Sequence, residues 1–491
     1  MKNVPLVHKT SKLENKTLVF DFEGTLLRST SLFPYFMLVS FEASGILRSL
    51  ILFLSYPLVW LVGEYQLGLK IMVFITFFGI KKDTFRIGTS VLPKFYLQDV
   101  GWEGFEAVMC WEKKVASSKL PRIMVEGFLK DYLGVEAIIA RDIKSFNGYF
   151  LGLFEKHNKT TTSYDVKVLL TSKDNSIGIV GSHIEYIDQK LFPHNKKASF
   201  MLSSDERRNW RVLPKECYPK PLVFHDGRLA FKPTLTSSLI MFMWLPLGIF
   251  LGIFRVIFGV SLPFNVSAPI LAFSGTRCTV SWPQSSLSSI ENEKNQKNML
   301  YVCNHRTLLD PLYISHTINK PLSTVTYSLS RVMEIISPIK TTRLTRDKDR
   351  DRKSMDKLLS EGNLVVCPEG TTCREPYLLR FSPLFAELSD DIVPVALDVK
   401  VSMFYGTTAS GQKWLDAFFH YMNPNPVYLV KILERLPTSQ TCKKGGKSCV
   451  EVANFVQNEI GKSLGFGCTN LTRKDKYMIL AGNEGVLITA K

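Results

Sequence analysis

The chain has 491 residues, a length that suits about two or three domains. Its residues are 45% hydrophobic and 21% charged, so the apolar sequence must be concentrated in particular stretches. The formal net charge of +17 favours anionic partners such as phosphorylated metabolites, CoA esters or an anionic membrane face. A nucleic-acid partner is disfavoured, because the sequence has no zinc spacing, RNA-binding signature or basic zipper region.

The first part of the chain has an α/β pattern, which we bound at residues 1–215. Alternating strands and helices are typical of this class. The predicted strands are Thr17–Phe20, Lys114–Ser118 and Ser176–Val180, and the predicted helix is Pro121–Leu133. The opening 16 residues are polar and basic without an apolar core, so no cleaved secretory signal is predicted.

Two apolar stretches lie in an insertion over about residues 30–112. Ser49–Val62 and Leu67–Ile80 are each shorter than the roughly 20 residues that a straight membrane span needs. They predict a re-entrant or interfacial hairpin, or else a buried helical pair. The flanking cations, Arg48 among them, favour membrane contact.

A third apolar stretch, Leu239–Phe254, continues to Val260 and lies in a linker region over residues 216–262. It predicts a membrane helix, in which Trp244 suits an interface and Arg255 can reach lipid headgroups. The sequence therefore predicts an integral or tightly bound membrane protein. The nine scattered cysteines, without a C-x-x-C pair, indicate reduced thiols facing the cytosol.

A second α/β pattern occupies residues 263–491. Its predicted strands span residues 299–303, 324–328, 363–367, 392–398 and 426–433. One strongly charged helix is predicted over residues 346–360. In Asn304–Pro311, a histidine follows the first of these strands, at the strand end where open α/β sheets bind ligands. If a helix begins there, His305 and Asp310 fall on one face. The carboxylate can then orient the imidazole to take a proton from an alcohol that attacks an activated acyl group.

A lone His-x4-Asp pair is more often an ordinary surface pair, so the hypothesis depends on three further segments. Pro338–Arg346 is a predicted turn with three cations. Within it, Arg343 is the first candidate for binding phosphate, because a guanidinium is a planar bidentate donor. Asp391–Leu397 is a buried strand whose Pro394 predicts an edge or a bulge.

The remaining segment, Val365–Arg374, is a strand that breaks into a Pro/Gly turn. Glu369 offers a carboxylate for substrate hydroxyls, and the Gly370 turn offers backbone amides for anionic oxygens. Further candidate substrate-binding residues in these segments carry a hydroxyl or a guanidinium: Thr371, Arg306, Arg346 and Arg374.

These four segments resemble, in order, the four motifs of the glycerol-phosphate and lysophosphatidate acyltransferase superfamily. Their counterparts here are His305-x4-Asp310, Arg343, Pro368-Glu369-Gly370-Thr371 and Ile392-Val393-Pro394. The resemblance extends over nearly the whole chain to the cutin- and suberin-type glycerol-3-phosphate acyltransferases of land plants. It is carried by Pro121–Glu126, Tyr218–Pro221, Phe224–Arg228 and Thr472–Tyr477.

The start of the chain resembles the first motif of haloacid-dehalogenase-like phosphatases, D-x-D-x-T. The resemblance implies a phosphoryl-accepting nucleophile at Asp21 and a general acid two residues on, where this chain has Glu23. The side chain of Glu23 is one methylene longer than that of aspartate, and displacing a catalytic carboxyl by about 1 Å can lower the reaction rate about 10²-fold. Ser117 or Ser118 could supply the second-motif hydroxyl. Ser182 stands where a magnesium-binding aspartate is expected, which weakens an Mg²⁺ site.

The resemblance thus implies a haloacid-dehalogenase-like Rossmannoid domain with a helical membrane-associated insertion, followed by an α/β acyltransferase domain, with membrane helices. The implied reaction is acyl transfer from acyl-CoA to glycerol-3-phosphate, giving lysophosphatidate at the endoplasmic reticulum, or at a mitochondrial membrane as in some relatives. No cofactor is expected, and Mg²⁺ only if the phosphatase-like domain is active. We expect that domain to be inactive.

Two alternatives remain at this point: a bifunctional enzyme that releases 2-monoacylglycerol, and a noncatalytic lipid-binding scaffold. The sequence leaves open the choice between sn-1 and sn-2 acylation, the acyl-chain preference, the number of membrane spans and the oligomeric state.

Overall fold

The structure is a computed structural model that describes residues 17–155, 176–181, 199–283, 298–327, 337–409 and 411–481. The expectations for the opening 16 residues and for Ser182 therefore lie outside the described residues. The chain forms two compact units, one from residues 1–227 and 231–243 and the other from residues 228–230 and 244–491. Both units are mixed α/β structures, so the predicted fold class is confirmed.

The first unit is built on a five-stranded parallel sheet in the order β3-β2-β1-β6-β7. A separate antiparallel pair, β4 and β5, lies outside this sheet. The strands of the unit are β1 Thr17–Asp21, β2 Lys113–Ser117, β3 Ala137–Ile139, β4 Ile143–Phe146, β5 Tyr149–Phe154, β6 Ser176–Gly181 and β7 Ser199–Leu202. Because β1 and β2 are parallel neighbours, Asp21 and Ser117 lie side by side at their carboxyl ends.

Helices connect these strands, and most of them lie in the insertion between β1 and β2. They are α1 Phe22–Thr25, α2 Phe33–Ser44, α3 Ile46–Leu54, α4 Tyr56–Leu61, α5 Gly68–Phe77, α6 Ile87–Ser90, α7 Leu92–Leu97, α8 Trp102–Met109, α9 Arg122–Asp131 and α10 Ser204–Arg208. A π-helical turn over Gly63–Leu67 separates α4 from α5.

The predicted apolar hairpin is present as α3 and α4 on one side of this turn and α5 on the other. The turn is fixed by Glu64, whose Oε1 accepts hydrogen bonds from Ser31 Oγ at 2.8 Å and from the backbone N–H of Phe33 at 2.7 Å. Several large apolar side chains of the hairpin are exposed: Leu47, Leu54, Leu58, Trp60 and Leu61. The hairpin is thus packed on one side only, which is the expectation for an interfacial hairpin rather than for a fully buried pair.

Helix α11, Leu235–Ser261, contains the third apolar stretch. Among the described residues it is the one helix long and apolar enough to cross a membrane, a test of length and composition that a core helix can also pass. Its residues up to Met243 group with the first unit and those from Trp244 onward with the second. Large apolar side chains along it, including Met243 and Phe250, are exposed.

The second unit contains a seven-stranded sheet in the order β11-β10-β12-β9-β14-β15-β8. The five strands from β11 to β14 are parallel, β15 runs antiparallel to β14, and β8 runs parallel to β15. The strands of this unit, which include a separate short pair, are β8 Arg277–Ser281, β9 Leu300–Cys303, β10 Leu322–Thr326, β11 Lys340–Arg343, β12 Asn363–Val366, β13 Tyr377–Leu378, β14 Ile392–Lys400, β15 Val427–Ile432 and β16 Gly467–Cys468.

Helices cover both faces of this sheet and bury two clusters of branched and aromatic side chains against it. They are α12 Phe264–Phe273, α13 Asp310–Ile318, α14 Lys348–Glu361, α15 Asp416–Tyr421, α16 Cys449–Leu464 and α17 Arg473–Ala481. The longest, α16, begins with a reciprocal cap in which Ser448 and Glu451 satisfy each other's backbone N–H groups.

Three local predictions for this unit are wrong. Pro394 lies in the interior strand β14, not at an edge, and its missing N–H is tolerated because the ladder with β15 begins one residue later, at Val395. Lys340–Arg343, predicted as a turn, is the edge strand β11. The helix expected to carry His305 begins only at Asp310, so the histidine lies in the preceding loop.

Candidate active site

The predicted site residues of the second unit lie at the carboxyl ends of its parallel strands. His305 follows β9, Glu369 follows β12, and Arg343 is the last residue of β11. Since β9, β10, β11 and β12 are parallel, their carboxyl ends meet at one edge of the sheet. Ligands bind at this edge in open α/β sheets.

The imidazole of His305 is held by Asp310. The distance between His305 Nδ1 and Asp310 Oδ2 is 2.8 Å; the histidine side chain is 17% exposed and that of the aspartate is fully buried. The loop between them folds back, so the pair forms although the two residues share no helix. Because Nδ1 faces the carboxylate, Nε2 is the ring nitrogen left for a substrate proton.

The Asp310 carboxylate is fixed by other donors besides the histidine. It accepts hydrogen bonds from the backbone N–H of Arg306 at 2.6 Å and of Thr307 at 3.0 Å. The hydroxyl of Tyr428 on β15 also donates to Asp310 Oδ1. A carboxylate held this firmly keeps the imidazole in one orientation and stabilises its protonated form.

Cys367 lies beside this pair, at the end of β12. Its Sγ is 3.4 Å from the Sγ of Cys303. A ring nitrogen of His305, a carboxylate oxygen of Asp310 and the Sγ of Cys367 all lie within 4.8 Å of one another. Burial alone lowers the pKa of His305, but Cys367 and Asp310 outweigh burial and raise it well above its usual value. The hydrogen bond with Cys303, together with the adjacent imidazole, lowers the pKa of Cys367 to about 6.

Glu369 connects two loops of the site. Its Oε1 accepts from the backbone N–H of His305 at 2.7 Å and its Oε2 from the backbone N–H of Leu379 at 2.9 Å. Burial raises the pKa of this carboxyl to about 7. The next residue, Gly370, has a φ of +67°, which favours glycine. Glu369 thus braces the backbone of His305, and its predicted contact with a substrate hydroxyl stays a prediction.

A cavity of about 1340 Å³ opens at this edge and brings together His305, Arg343, Glu369, Gly370 and Thr371. Asp310 does not line the cavity itself; it contacts His305, which does. Four cations that the sequence reasoning did not assign to the site also line the cavity: Arg255, Arg380, Lys413 and Arg473. Arg255 was predicted to reach lipid headgroups, but it is fully buried and donates to the carbonyls of Tyr421 and Asn423. Arg473 belongs to the Thr472–Tyr477 segment, which was recognised only as a resemblance; Arg380 and Lys413 had no recognisable signal.

Another part of the cavity wall is apolar. It comes from α11 and α12 and from the loop and first turn around α13, with Val256, Gly259, Val260, Leu271, Leu308 and Leu312 as examples. Close to the predicted turn, Tyr477 of α17 lies with its hydroxyl 3.4 Å from Thr371 Oγ1. The cavity therefore combines a cationic and hydroxyl-bearing part with an apolar part.

The other three predicted arginines are not among the cavity-lining residues that the structure describes. Arg306 is buried and donates to the carbonyls of Cys373 and Glu375 and to Asp398. Arg374 is partly buried, with Nη1 3.0 Å from the carbonyl of Thr407 and the guanidinium above the ring of Tyr405. These two guanidiniums hold the loop after β12 in place.

Arg346, the third, is exposed and lies in the turn before α14. Its backbone N–H donates to Asp351 at 2.9 Å, and its φ is +71°. The sequence could not separate these structural arginines from Arg343, because all follow or end strands of the same sheet.

The phosphatase-like residues of the first unit also lie at a carboxyl edge. Asp21, at the end of β1, and Ser117, at the end of β2, are buried, as are Glu23 and Ser118. Ser118 Oγ donates to Glu23 Oε1 at 2.5 Å. Burial, followed by the charge of Glu23, raises the pKa of Asp21 to about 8.

Residues 17–201 match the family described as "Glycerol-3-phosphate acyltransferase RAM2-like, HAD-like domain". Residues 285–398 match the family described as "Acyltransferase". The two matches coincide with the parts of the chain in which the two sets of motifs were recognised.

Among known proteins, the chain is 50% identical to the probable glycerol-3-phosphate acyltransferase 2 of Arabidopsis thaliana over 98% of this chain and 92% of that protein. It is 42% identical to the glycerol-3-phosphate acyltransferase RAM2 of Petunia hybrida, over 95% of this chain and 97% of that protein. A solved structure, the 1-acyl-sn-glycerophosphate (LPA) acyltransferase PlsC from Thermotoga maritima, is 17% identical with a TM-score of 0.27, covering 46% of this chain and 95% of that chain.

Proposed function

The chain belongs to the plant glycerol-3-phosphate acyltransferase family, and from this premise we propose that it transfers an acyl group from acyl-CoA to glycerol-3-phosphate, giving lysophosphatidate. The observation that carries the proposal is the His305–Asp310 pair, held at 2.8 Å on the wall of a cavity that also presents cations and an apolar surface.

The first step is activation of the acceptor. A hydroxyl of glycerol-3-phosphate gives its proton to Nε2 of His305 while its oxygen attacks the thioester carbonyl. Asp310 keeps the proton of Nδ1 directed away from the substrate and stabilises the imidazolium that forms. General-base assistance of this kind contributes roughly 10²–10⁴ in rate.

The second step is collapse of the tetrahedral intermediate. The carbon–sulfur bond breaks, and the imidazolium returns its proton to the departing CoA sulfur, which regenerates neutral His305. The Pro-Glu-Gly-Thr turn, with Gly370 in a left-handed conformation, lines the same cavity. The Gly370 N–H donates to the carbonyl of Cys367 at 3.3 Å, so the backbone amide assigned to the oxygen that becomes negative is that of Thr371. Glu369 contributes by holding the His305 backbone at the cavity.

Recognition of the acceptor phosphate is assigned to the cations of the cavity. Arg343 ends β11 with an exposed side chain on the cavity wall, and Arg380, Lys413 and Arg473 line the same cavity. Guanidinium groups suit phosphate because they donate two parallel hydrogen bonds. A fixed phosphate places the reacting hydroxyl, and such placement can contribute as much to the rate as the base.

The acyl chain is assigned to the apolar part of the cavity, between α11, α12 and the start of α13. The exposed apolar side chains of α11 and of the α3–α5 hairpin support attachment to a bilayer, from which a long-chain acyl donor would be drawn. Assignment to the endoplasmic reticulum membrane depends on the resemblance to the cutin- and suberin-type enzymes.

The first unit is proposed to be a structural domain that does not dephosphorylate the product. Its second acidic position is Glu23, whose Oε1 accepts hydrogen bonds from Ser118 Oγ and from the backbone N–H groups of Lys119 and Leu120. Burial, followed by the charge of Glu23, raises the pKa of Asp21 to about 8. The fold family implies Mg²⁺ here, but Glu23 Oε1 already accepts from three donors and the Glu23 carbonyl accepts from the Arg207 guanidinium, an arrangement that does not fit a magnesium site. No step of the proposed reaction passes through a metal.

The test is an analysis of the product made by the purified full-length chain in detergent from acyl-CoA and labelled glycerol-3-phosphate. Lysophosphatidate as the accumulating product is expected. Monoacylglycerol whose release is lost in Asp21→Asn would contradict the inactive first unit and favour the bifunctional enzyme. Absence of any acyl transfer with a range of acyl-CoAs would favour the lipid-binding scaffold.

A further inference from the structure

Two cysteine thiols of the second unit meet beside the cavity. Cys303 ends β9 and Cys367 follows the last residue of β12, and these strands are parallel neighbours in which Val302 pairs with Val366. The next residue of each strand therefore also lies opposite its partner. The two Sγ atoms are 3.4 Å apart, and both thiols are free.

The backbone at this position suits a disulfide between the two thiols. Neighbouring strands lie about 4.7–4.9 Å apart, and disulfides join Cα atoms that are about 4.4–6.8 Å apart. Closing the gap between the sulfurs from 3.4 Å to about 2.0 Å requires an approach of about 1.4 Å. Rotation about the side-chain bonds and a small shift of the loop after β12 can supply an approach of this size.

The two thiols differ in their access to solvent. Cys303 is fully buried, whereas Cys367 is partly buried and lines the cavity. A small oxidant that enters the cavity therefore meets Cys367 first. The hydrogen bond with Cys303 and the adjacent imidazole of His305 lower the pKa of Cys367 to about 6 against the effect of burial, so the reactive thiolate is present near neutral pH.

The segments that carry these thiols also carry the proposed base and the residue that braces it. His305 lies two residues after Cys303, and Glu369 lies two residues after Cys367. Glu369 Oε1 accepts from the backbone N–H of His305 at 2.7 Å, so the two segments together place the imidazole. A disulfide would change their relative position, and a misplacement of about 1 Å can lower a reaction rate about 10²-fold.

We propose that Cys367 is a site of oxidation by hydrogen peroxide, that Cys303 converts the oxidised product into a disulfide, and that this disulfide reversibly switches off acyl transfer at His305. The switching of activity rests on the proposed function of the site. The formation of the disulfide does not.

The oxidation takes two steps. The sulfur of Cys367 attacks one oxygen of the peroxide, the oxygen–oxygen bond breaks, and the thiol becomes a sulfenic acid while the peroxide is reduced to water. The sulfur of Cys303 then attacks the sulfur of Cys367 and the sulfur–oxygen bond breaks. The departing hydroxide takes the proton of the Cys303 thiol and leaves as water. Exchange with an added dithiol restores both thiols.

The test treats the purified full-length chain in detergent with hydrogen peroxide, blocks the remaining thiols with an alkylating reagent and identifies linked tryptic peptides by mass spectrometry. Trypsin cleaves between Cys303 and Cys367, and fragmentation separates Cys367 from Cys373 within one peptide. We expect a Cys303–Cys367 link that disappears with dithiothreitol. The rate of acyl transfer, measured in parallel, should fall about tenfold or more and recover with the reductant.

Variants of the resolving thiol separate the two steps. Cys303→Ser should give no linked peptides, and peroxide should leave on Cys367 a sulfenic acid that dimedone traps. If the hydroxyl prevents folding at this buried position, Cys303→Ala serves the same purpose. The activity of each variant is compared with its own untreated rate.

A second pair of thiols supplies a matched control. Cys449 is hydrogen-bonded to Cys442, and both are partly exposed. Within the described ranges, the cavity wall includes neither of them. Cys442→Ser should therefore retain both the Cys303–Cys367 link and the reversible loss of activity.

The outcomes distinguish the oxidation site from the acyltransferase assignment. Peroxide-treated wild type without a Cys303–Cys367 link would overturn the site, and a link formed without loss of acyl transfer would overturn the switch. Loss of the reversible inactivation in Cys442→Ser would also overturn the switch, since the sensitive pair would then be the other one. If the untreated chain transferred no acyl group, the proposed function would fail while the linked peptides would still support the oxidation site.

Discussion

Replacing Asp310 with asparagine removes one negative charge and leaves the shape of the side chain nearly unchanged. Asp310 Oδ2 faces the His305 ring and the Arg306 N–H, whereas Oδ1 faces Thr307 and the hydroxyl of Tyr428. The amide nitrogen of asparagine should take the Oδ1 position, because the hydroxyls of Thr307 and Tyr428 there can turn to accept. The backbone N–H of Thr307, 3.0 Å from Oδ1, also lies 3.1 Å from Oδ2 and can donate to the amide oxygen instead. The amide oxygen then still accepts from Nδ1, so the tautomer of His305 is preserved and the lost charge is isolated.

The magnitude follows from the hydrogen bond that the imidazolium makes. A bond to a charged partner contributes about 1.5–3 kcal/mol and one between neutral groups about 0.5–1.5 kcal/mol, so the imidazolium loses roughly 1–2 kcal/mol. We expect kcat to fall about 5- to 30-fold with the KM for both substrates nearly unchanged.

The pH profile of the same variant gives a second readout. Since Asp310 helps to raise the pKa of His305, the activity of the wild type is lost as the pH falls through this raised value, where the base becomes protonated. In Asp310→Asn the acid limb of kcat should move to lower pH by about one unit. A continuous assay of released CoA thiol at several pH values measures both effects. Wild-type kcat and an unmoved acid limb in a correctly folded variant would refute the role of the aspartate.

Other variants test the remaining parts of the account. Arg343→Ala should raise the KM for glycerol-3-phosphate about tenfold or more with a smaller change in the KM for acyl-CoA, and equal changes in both would contradict a phosphate contact. Gly259→Leu fills a part of the cavity where an added Cβ would meet nothing closer than Leu271 at 3.8 Å. It should lower kcat/KM for the longest acyl-CoAs relative to short ones, as measured by competition between chain lengths; an unchanged ratio would place the acyl chain elsewhere. Asp21→Asn should be more stable than the wild type by ~1–3 kcal/mol above pH 8. The raised pKa of Asp21, about 8, makes the folded wild type lose stability as pH rises from about 4 to 8, whereas the asparagine does not titrate. Thermal unfolding between pH 5 and 9 measures this, and parallel curves for the two proteins would exclude it.

Much of the strand and helix order could be predicted because strongly apolar runs alternate with turn-forming segments. The strands near residues 299–303, 363–367 and 392–398 were expected from apolar sequence and are present with small changes at their ends. Edge strands were harder to predict. β8 is exposed at every position and β11 carries two cations in four residues, so neither has an apolar run.

Site residues could be predicted where the reaction requires a particular type of side chain. They could not be predicted where packing decides which way a side chain points. His305, Asp310 and Arg343 were identified from their chemistry, and the structure brings His305 and Arg343 to one cavity. The sequence does not indicate which arginine side chains point into the cavity. Arg306 and Arg374 instead donate hydrogen bonds to backbone carbonyls of loops. Arg380 and Arg473 reach the cavity from distant parts of the chain, a proximity that only the tertiary fold produces.

The most direct test of the central claim is the turnover of His305→Ala with acyl-CoA and glycerol-3-phosphate in detergent. With no base at the cavity, kcat should fall by about 10²–10⁴ while both substrates still bind and the variant unfolds at a temperature close to that of the wild type. A folded His305→Ala protein that makes lysophosphatidate at the wild-type rate would show that this imidazole does not take the acceptor's proton.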